Sequence, residues 1–144
     1  KGGNLEETEK KCKQNKSKSI FSVGRRKTAV ANVMIKEGEG KITINGIALN
    51  KYFTRISDQV TLRRPLEILG LTNKFNINVK VSGGGTSAQA DAIRLGIARN
   101  LIEINGDYRV LLVKNSMLTR DPRMVERKKY GQAGARKRFQ FSKR

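Results

Sequence analysis

The apolar periodicity of this chain stops at Thr119, and the segment beyond that point limits the fold more than any other feature. The last 26 residues read TRDPRMVERKKYGQAGARKRFQFSKR, with ten Lys and Arg against two acids. Val125, Tyr130, Phe139 and Phe141 are scattered among charges and glycines at neither helical nor strand spacing. So few apolar groups do not offset the entropy of ordering such a stretch. Residues 119–144 are therefore expected to form a long, extended, basic C-terminal tail, ordered by something outside itself or by nothing.

Before Thr119 the pattern is that of one small α+β domain, residues 21–118. Ala29, Ala31, Val33 and Ile35 alternate with mostly polar partners and predict a strand. Glu37–Gly40 is a turn, and Ile42 and Ile44 continue as the second arm of a hairpin that ends at Asn45-Gly46. Asn50–Thr54 fits one helical turn. Ser57 or Asp58 is placed to cap a helix to about Arg63, which Pro65 breaks or kinks and Gly70 ends. Phe75, Ile77, Val79 and Val81 form the clearest strand. After Gly83-Gly84-Gly85, Thr86 or Ser87 is placed to cap a helix carrying Ile93, Ile97, Leu101 and Ile104. Asn105-Gly106 stops it, and Asp107 is placed to cap a shorter helix carrying Val110, Leu111 and Val113. Residues 1–20 are polar, with Leu5 and Ile20 as the only aliphatics, and read as a disordered basic arm.

Charge narrows the partners. The chain holds 31 Lys and Arg against 12 Asp and Glu, a net charge of +19. Repulsion on that scale favours a polyanion partner. No run approaches the length of apolar sequence that spans a bilayer, so no membrane association is expected. There is no His, and Cys12 is the only cysteine. That excludes an internal disulfide and a zinc constellation, and it removes the commonest general base. No metal, no cofactor and no catalytic residue are expected.

Three constellations remain. In the tail, Arg120, Arg123, Arg127, Lys128, Lys129, Arg136, Lys137 and Arg138 surround Tyr130. Cations release counterions from phosphates, and aromatic rings stack on unpaired bases. The plainer reading is a solvated tail or an address signal. Arg25-Arg26-Lys27, next to Gly24 and Thr28, places three cations on a turn, either to clamp a phosphate or to blunt an edge strand against aggregation. Gly83-Gly84-Gly85 before a helix either cradles phosphate with backbone N–H groups or allows close packing, as Ala88, Ala92 and Gly96 suggest. A small-molecule kinase would use such a loop, yet the lysine of a Walker sequence is missing and the G-x-G-x-x-G pattern is absent. Asp121 and Glu126, set among cations, are expected to form ion pairs that shape the tail. A DNA-compacting protein is compatible with the charge alone.

Together these segments resemble ribosomal protein nine of the small subunit, the universal S-nine family. The resemblance covers about Phe21 to Arg144. It is carried by GRRKTAVA at Gly24–Ala31, by GGGTSAQADAIRLGIARNL at Gly83–Leu101, and by LTRDPRMVERKKYG through the terminal FQFSKR. Asn100 departs from the family, which has a small residue or Leu there, and is expected at the helix edge. The resemblance implies a mixed sheet backed by helices, like the second domain of small-subunit ribosomal protein five. It implies a structural, non-enzymatic component of the ribosome in a bacterial cytoplasm or an organelle. The partners it implies are the 16S-type rRNA of the subunit head, P-site tRNA, and neighbouring proteins seven, ten and fourteen. The rRNA-binding set it implies adds Gln89, Arg94 and Arg99 to the glycine loop, Arg25–Lys27 and the tail residues named above. Ser142, Lys143 and Arg144 would meet the tRNA.

Overall fold

A computed structural model describes residues 19–143, so the expected arm as far as Lys18, Cys12 included, lies outside the described residues. Strands β1 (Ile20–Arg26) and β2 (Ala29–Glu37) form a tight antiparallel hairpin over the turn at Lys27-Thr28. They are followed by β3 (Ile42–Ile44), β4 (Ile47–Ala48), α1 (Leu49–Tyr52), α2 (Ile56–Ile68), β5 (Phe75–Ser82), α3 (Thr86–Ile104) and α4 (Tyr108–Lys114). The chain is an α+β fold with one mixed five-stranded sheet in the order β1-β2-β5-β3-β4. Helices α2 and α3 pack side by side, with α3 crossing β1 and β2.

The period-two pattern of β2 and β5 survives intact. Ala29, Ala31, Val33 and Ile35 are buried beneath the helices, as are Phe75, Ile77, Val79 and Val81. The expected hairpin between β2 and β3 does not form. β5 lies between them, antiparallel to β2 and parallel to β3. The reason is length: β5 offers β2 a pairing from Val30 to Glu37, whereas β3 has only three residues to give. β1 escapes periodicity because its helix-facing residues include Ser22 and Gly24, which carry little apolar signal. Ser22 Oγ donates to the Gly96 carbonyl at 2.7 Å. A Cβ at Gly24 would sit 1.8 Å from the Ala92 carbonyl oxygen, so strand and helix meet backbone to backbone.

The helices correct several expectations. α2 runs through Pro65 to Ile68, because Leu62 and Leu66 are buried on either side of the proline and hold both halves on the core. Gly70, at φ +65°, closes it: the Gly70 and Leu71 amides donate to the Glu67 and Leu66 carbonyls, the paired bonds of a Schellman stop. None of Ser57, Asp58, Thr86, Ser87 and Asp107 caps a helix by its side chain; the N-cap positions of α2 and α3 are Arg55 and Gly85. In α4, Val110, Leu111 and Val113 are exposed, and Leu112 is the residue that is buried, one turn from half-buried Tyr108. Asn100 does not sit at the helix edge. It is fully buried, and its Nδ2 donates to the Val33 carbonyl at 3.0 Å. Among the described residues, no helix is long and apolar enough to cross a membrane.

Candidate nucleic-acid interface

Strand alternation separates the three adjacent cations of the β1–β2 hairpin. Arg25 and Arg26 lie on the strand itself and not on a turn, so they point to opposite faces of the sheet. Lys27 takes the turn position at φ +50°. Arg25 and Lys27 are exposed. Arg26 faces the helices, with 18% of its side chain exposed, between Asp91 of α3 at 3.7 Å and Asp121 of the tail, to which its Nη1 donates directly. The expected single phosphate clamp is therefore two exposed cations and one internal tether.

The glycine loop divides in a similar way. Gly83 and Gly84 are left-handed at φ +71° and +66°. A Cβ on Gly83 would meet the Thr28 carbonyl oxygen at 2.6 Å, and one on Gly84 would meet the Ala29 Cβ at 2.9 Å. Both serve the close approach of this loop to the β1–β2 turn, whereas nothing lies near a Cβ on Gly85, the N-cap of α3. Gln89 braces the loop from inside: its Nε2 donates to the Gly83 carbonyl at 3.0 Å and its Oε1 accepts from the Tyr52 hydroxyl at 2.9 Å. Arg94 reaches the Met117 sulfur at 3.5 Å and Asp91 at 3.6 Å. Arg99 Nη1 donates to the Val23 carbonyl on the outer edge of β1. Gln89, Arg94 and Arg99 thus all have partners within the chain.

From Met117 to Lys143 the chain contains no helix or strand. Asp121 and Glu126 give it local shape, as their setting among cations suggests. Arg123 wraps Asp121, donating through its backbone N–H at 2.9 Å and its Nη2 at 2.7 Å. These hydrogen bonds, with the charges of Arg123 and Arg26 behind them, hold the Asp121 carboxyl well below the usual carboxylate range. Ten residues along the chain from Glu126, Arg136 grips it with two bonds of 2.9 and 2.7 Å, which lowers the Glu126 pKa as well. That pair closes a loop containing Gly131 at φ +64°, and Tyr130 stands on it 97% exposed.

With those two acids engaged, Arg120, Arg127, Lys128, Lys129, Lys137, Arg138 and Lys143 are exposed and form no ion pair among the described residues. Phe139, Phe141 and Ser142 are exposed beside them, and Arg144 lies outside the described residues. Cations flanking exposed rings are the residue types that suit phosphate contacts and base stacking. Among the described residues, no group of His, Cys, Asp or Glu is placed to hold a metal ion. Lys36 and Lys80 are exposed on the sheet; composition alone does not mark them, and the sequence signal for them is their place in the polar phase of two alternating strands.

Residues 24–144 match the family model described as Ribosomal protein S9/S16. The chain is 50% identical over 125 residues to the small ribosomal subunit protein uS9 of Cytophaga hutchinsonii, which covers 87% of this chain and 98% of that protein. It is 53% identical over 124 residues to uS9 of Anaeromyxobacter sp. strain K, covering 86% of this chain and 95% of the relative. uS9 of Methylacidiphilum infernorum is 52% identical over 125 residues, or 87% of this chain and 92% of that protein.

Proposed function

The chain belongs to the ribosomal protein S9/S16 family, a family of ribosomal proteins and not of enzymes, and from that premise we propose that it is a structural component of the small ribosomal subunit. It binds small-subunit rRNA in the head and touches P-site tRNA with its C-terminal tip. The observation that carries this reading is the row of exposed tail cations without acidic partners among the described residues, set around Tyr130, Phe139 and Phe141. Arg25, Lys27, Arg120, Arg127, Lys128, Lys129, Lys137 and Arg138 contact rRNA phosphates, and Tyr130 stacks on a base. Gly85, open at the start of α3, suits an approaching phosphate. Arg26, Gln89, Arg94 and Arg99 support the surface from within. Ser142, Lys143 and Arg144 form the tRNA-facing tip. Proteins seven, ten and fourteen are its neighbours in the head, and the ribosome in question is that of a bacterium or an organelle.

Phosphate contacts position a ligand without reading its sequence, so the tip should serve every tRNA alike. The test is deletion of Lys143 and Arg144 alone, followed by filter binding of several tRNAs to purified subunits. Subunits should assemble, because the upstream cations remain, and P-site affinity should fall modestly for every tRNA. Unchanged affinity would overturn the assignment of the tip. Failure to assemble would move that role to the rRNA contact.

A further inference from the structure

One face of the sheet is turned away from the helices. Core-facing residues of β2 are Ala29, Ala31, Val33 and Ile35, so Val30, Asn32, Met34 and Lys36 look the other way. Strand pairing sets this open face out in transverse rows. Arg25, Val30 and Ser82 form the first, and Val23, Asn32 and Lys80 the second. Phe21, Met34, Asn78 and Thr43 form the third, and Lys36 with Asn76 the fourth. Phe21 is 54% exposed.

Arg25, Lys80 and Lys36 thus fall in three different rows. All three are exposed, and none makes an ion pair among the described residues. No Asp or Glu stands in any row. An ion pair, Glu39 with Lys41, lies at the margin beside Asn76, whose Oδ1 accepts both of their backbone amides. Rows on one face are about 7 Å apart, so the cations sample about 20 Å along the strands.

This is the wrong chemistry for a protein partner. The buried centre of a protein interface is depleted of charge and enriched in aromatic residues. Here five of the twelve side chains are Lys or Asn, with Arg25 beside them, and the four apolar ones, Val30, Val23, Phe21 and Met34, are spread over three rows and not gathered into one patch. A phosphate backbone complements the charge, the Asn32 and Asn78 amides offer donors and acceptors, and Phe21 presents a ring to a base.

We propose that the open face of the sheet is a second RNA-docking surface, holding an rRNA segment distinct from the one engaged by the tail through Arg25, Lys36 and Lys80. The inference rests on the reading of the chain as an rRNA-binding protein. Each phosphate contact contributes about 0.7–0.9 to the slope of log affinity against log salt, so three contribute about 2–3.

The experiment compares three full-length triple variants on a transcript of the 3′ domain of small-subunit rRNA, by salt titration and footprinting. One is Arg25→Gln with Lys36→Gln and Lys80→Gln. The second is Arg127→Gln with Lys128→Gln and Lys129→Gln in the tail. The third, Lys51→Gln with Arg109→Gln and Lys114→Gln, removes the same charge from exposed helical positions. The open-face variant should lower the slope by about 2–3, and the helical variant by less than about 1. It should also lose protections that the tail variant keeps. If the triple variant melts early, Lys36→Gln and Lys80→Gln taken singly should each lower the slope by about 0.7–0.9. A slope equal to that of the helical variant, or loss of the same protections as the tail variant, overturns the inference. Reduced entry into subunits with RNA affinity unchanged would assign the face to a protein and also overturn it. If the wild-type chain itself fails to bind the transcript, the rRNA-binding reading fails first.

Discussion

Arg26, the last residue of β1, and Asp121, near the root of the tail, form an ion pair across 95 positions of sequence. Asp91 of α3 completes the arrangement from the other side of the guanidinium. A carboxylate inside a strongly basic segment thereby ties the tail to the folded core. The direction in which the tail leaves is set by a strand, a helix and one acid.

Asp121→Asn removes the charge and keeps the size. Arg26 is then left with Asp91, and Arg123 loses its partner. The core should melt within a degree or two of the wild type, because this contact lies at its margin. Trypsin should cut after Arg120 and Arg123 several-fold faster. Equal cleavage rates in the two proteins would show that the pair does not hold the root of the tail.

Acid should release this contact late. A carboxyl whose folded pKa is depressed contributes stability above its unfolded pKa, about 3.9 for Asp, and loses it only as pH falls through the lower folded value. Asp121 is of that kind. Carbon-detected titration of its carboxyl should give a midpoint well below that unfolded value. A midpoint near 3.9 would mean that the hydrogen bonds from Arg123 are not formed in solution.

Gly24→Ala tests the backbone contact between β1 and α3. The added Cβ would lie 1.8 Å from the Ala92 carbonyl oxygen and 2.7 Å from the Gly96 nitrogen, and no flexible side chain is there to yield. The loss should be about 1–3 kcal/mol or more, read from urea midpoints. Gly85→Ala, with open space around its Cβ, should stay within about 0.5 kcal/mol. Similar midpoints for the two variants would refute the contact.

Asn100→Ala deletes the bond to the Val33 carbonyl in a fully buried site. Against that loss stands the relief of the Asn100 Oδ1, which has no partner. Loss of the bond and the space left behind should dominate, at a cost of about 1–3 kcal/mol by chemical unfolding. A stabilised variant would reverse that order.

What the sequence made legible follows from where apolar signal exists. β2, β5 and α3 announce themselves because each buries a repeating apolar phase. β1 does not, since its buried face includes Ser22 and Gly24, small because a helix backbone lies against them. The place of β5 between β2 and β3 is likewise silent, because periodicity reports faces and not neighbours. Pro65 misleads for a related reason: burial of Leu62 and Leu66 outweighs one missing hydrogen bond. In the candidate interface, composition pointed to the tail cations. It did not separate Arg25 from Arg26, one facing solvent and the other held by Asp91 and Asp121. Nor did it mark Asn100 as a core residue.

The insertion of β5 has a consequence for synthesis. Translation delivers β2 and β3 early, with a strand-wide gap between them that only residues 75–82 fill. Until those residues leave the ribosome, the nascent chain carries two unsatisfied strand edges, the kind of surface on which chains pair wrongly. The positive charge that suits the mature protein to a polyanion also keeps unfinished copies apart. A chain stalled short of Phe75 would hold 16 Lys and Arg against seven acids and lack the sheet, and should cling to nucleic acid without folding on it.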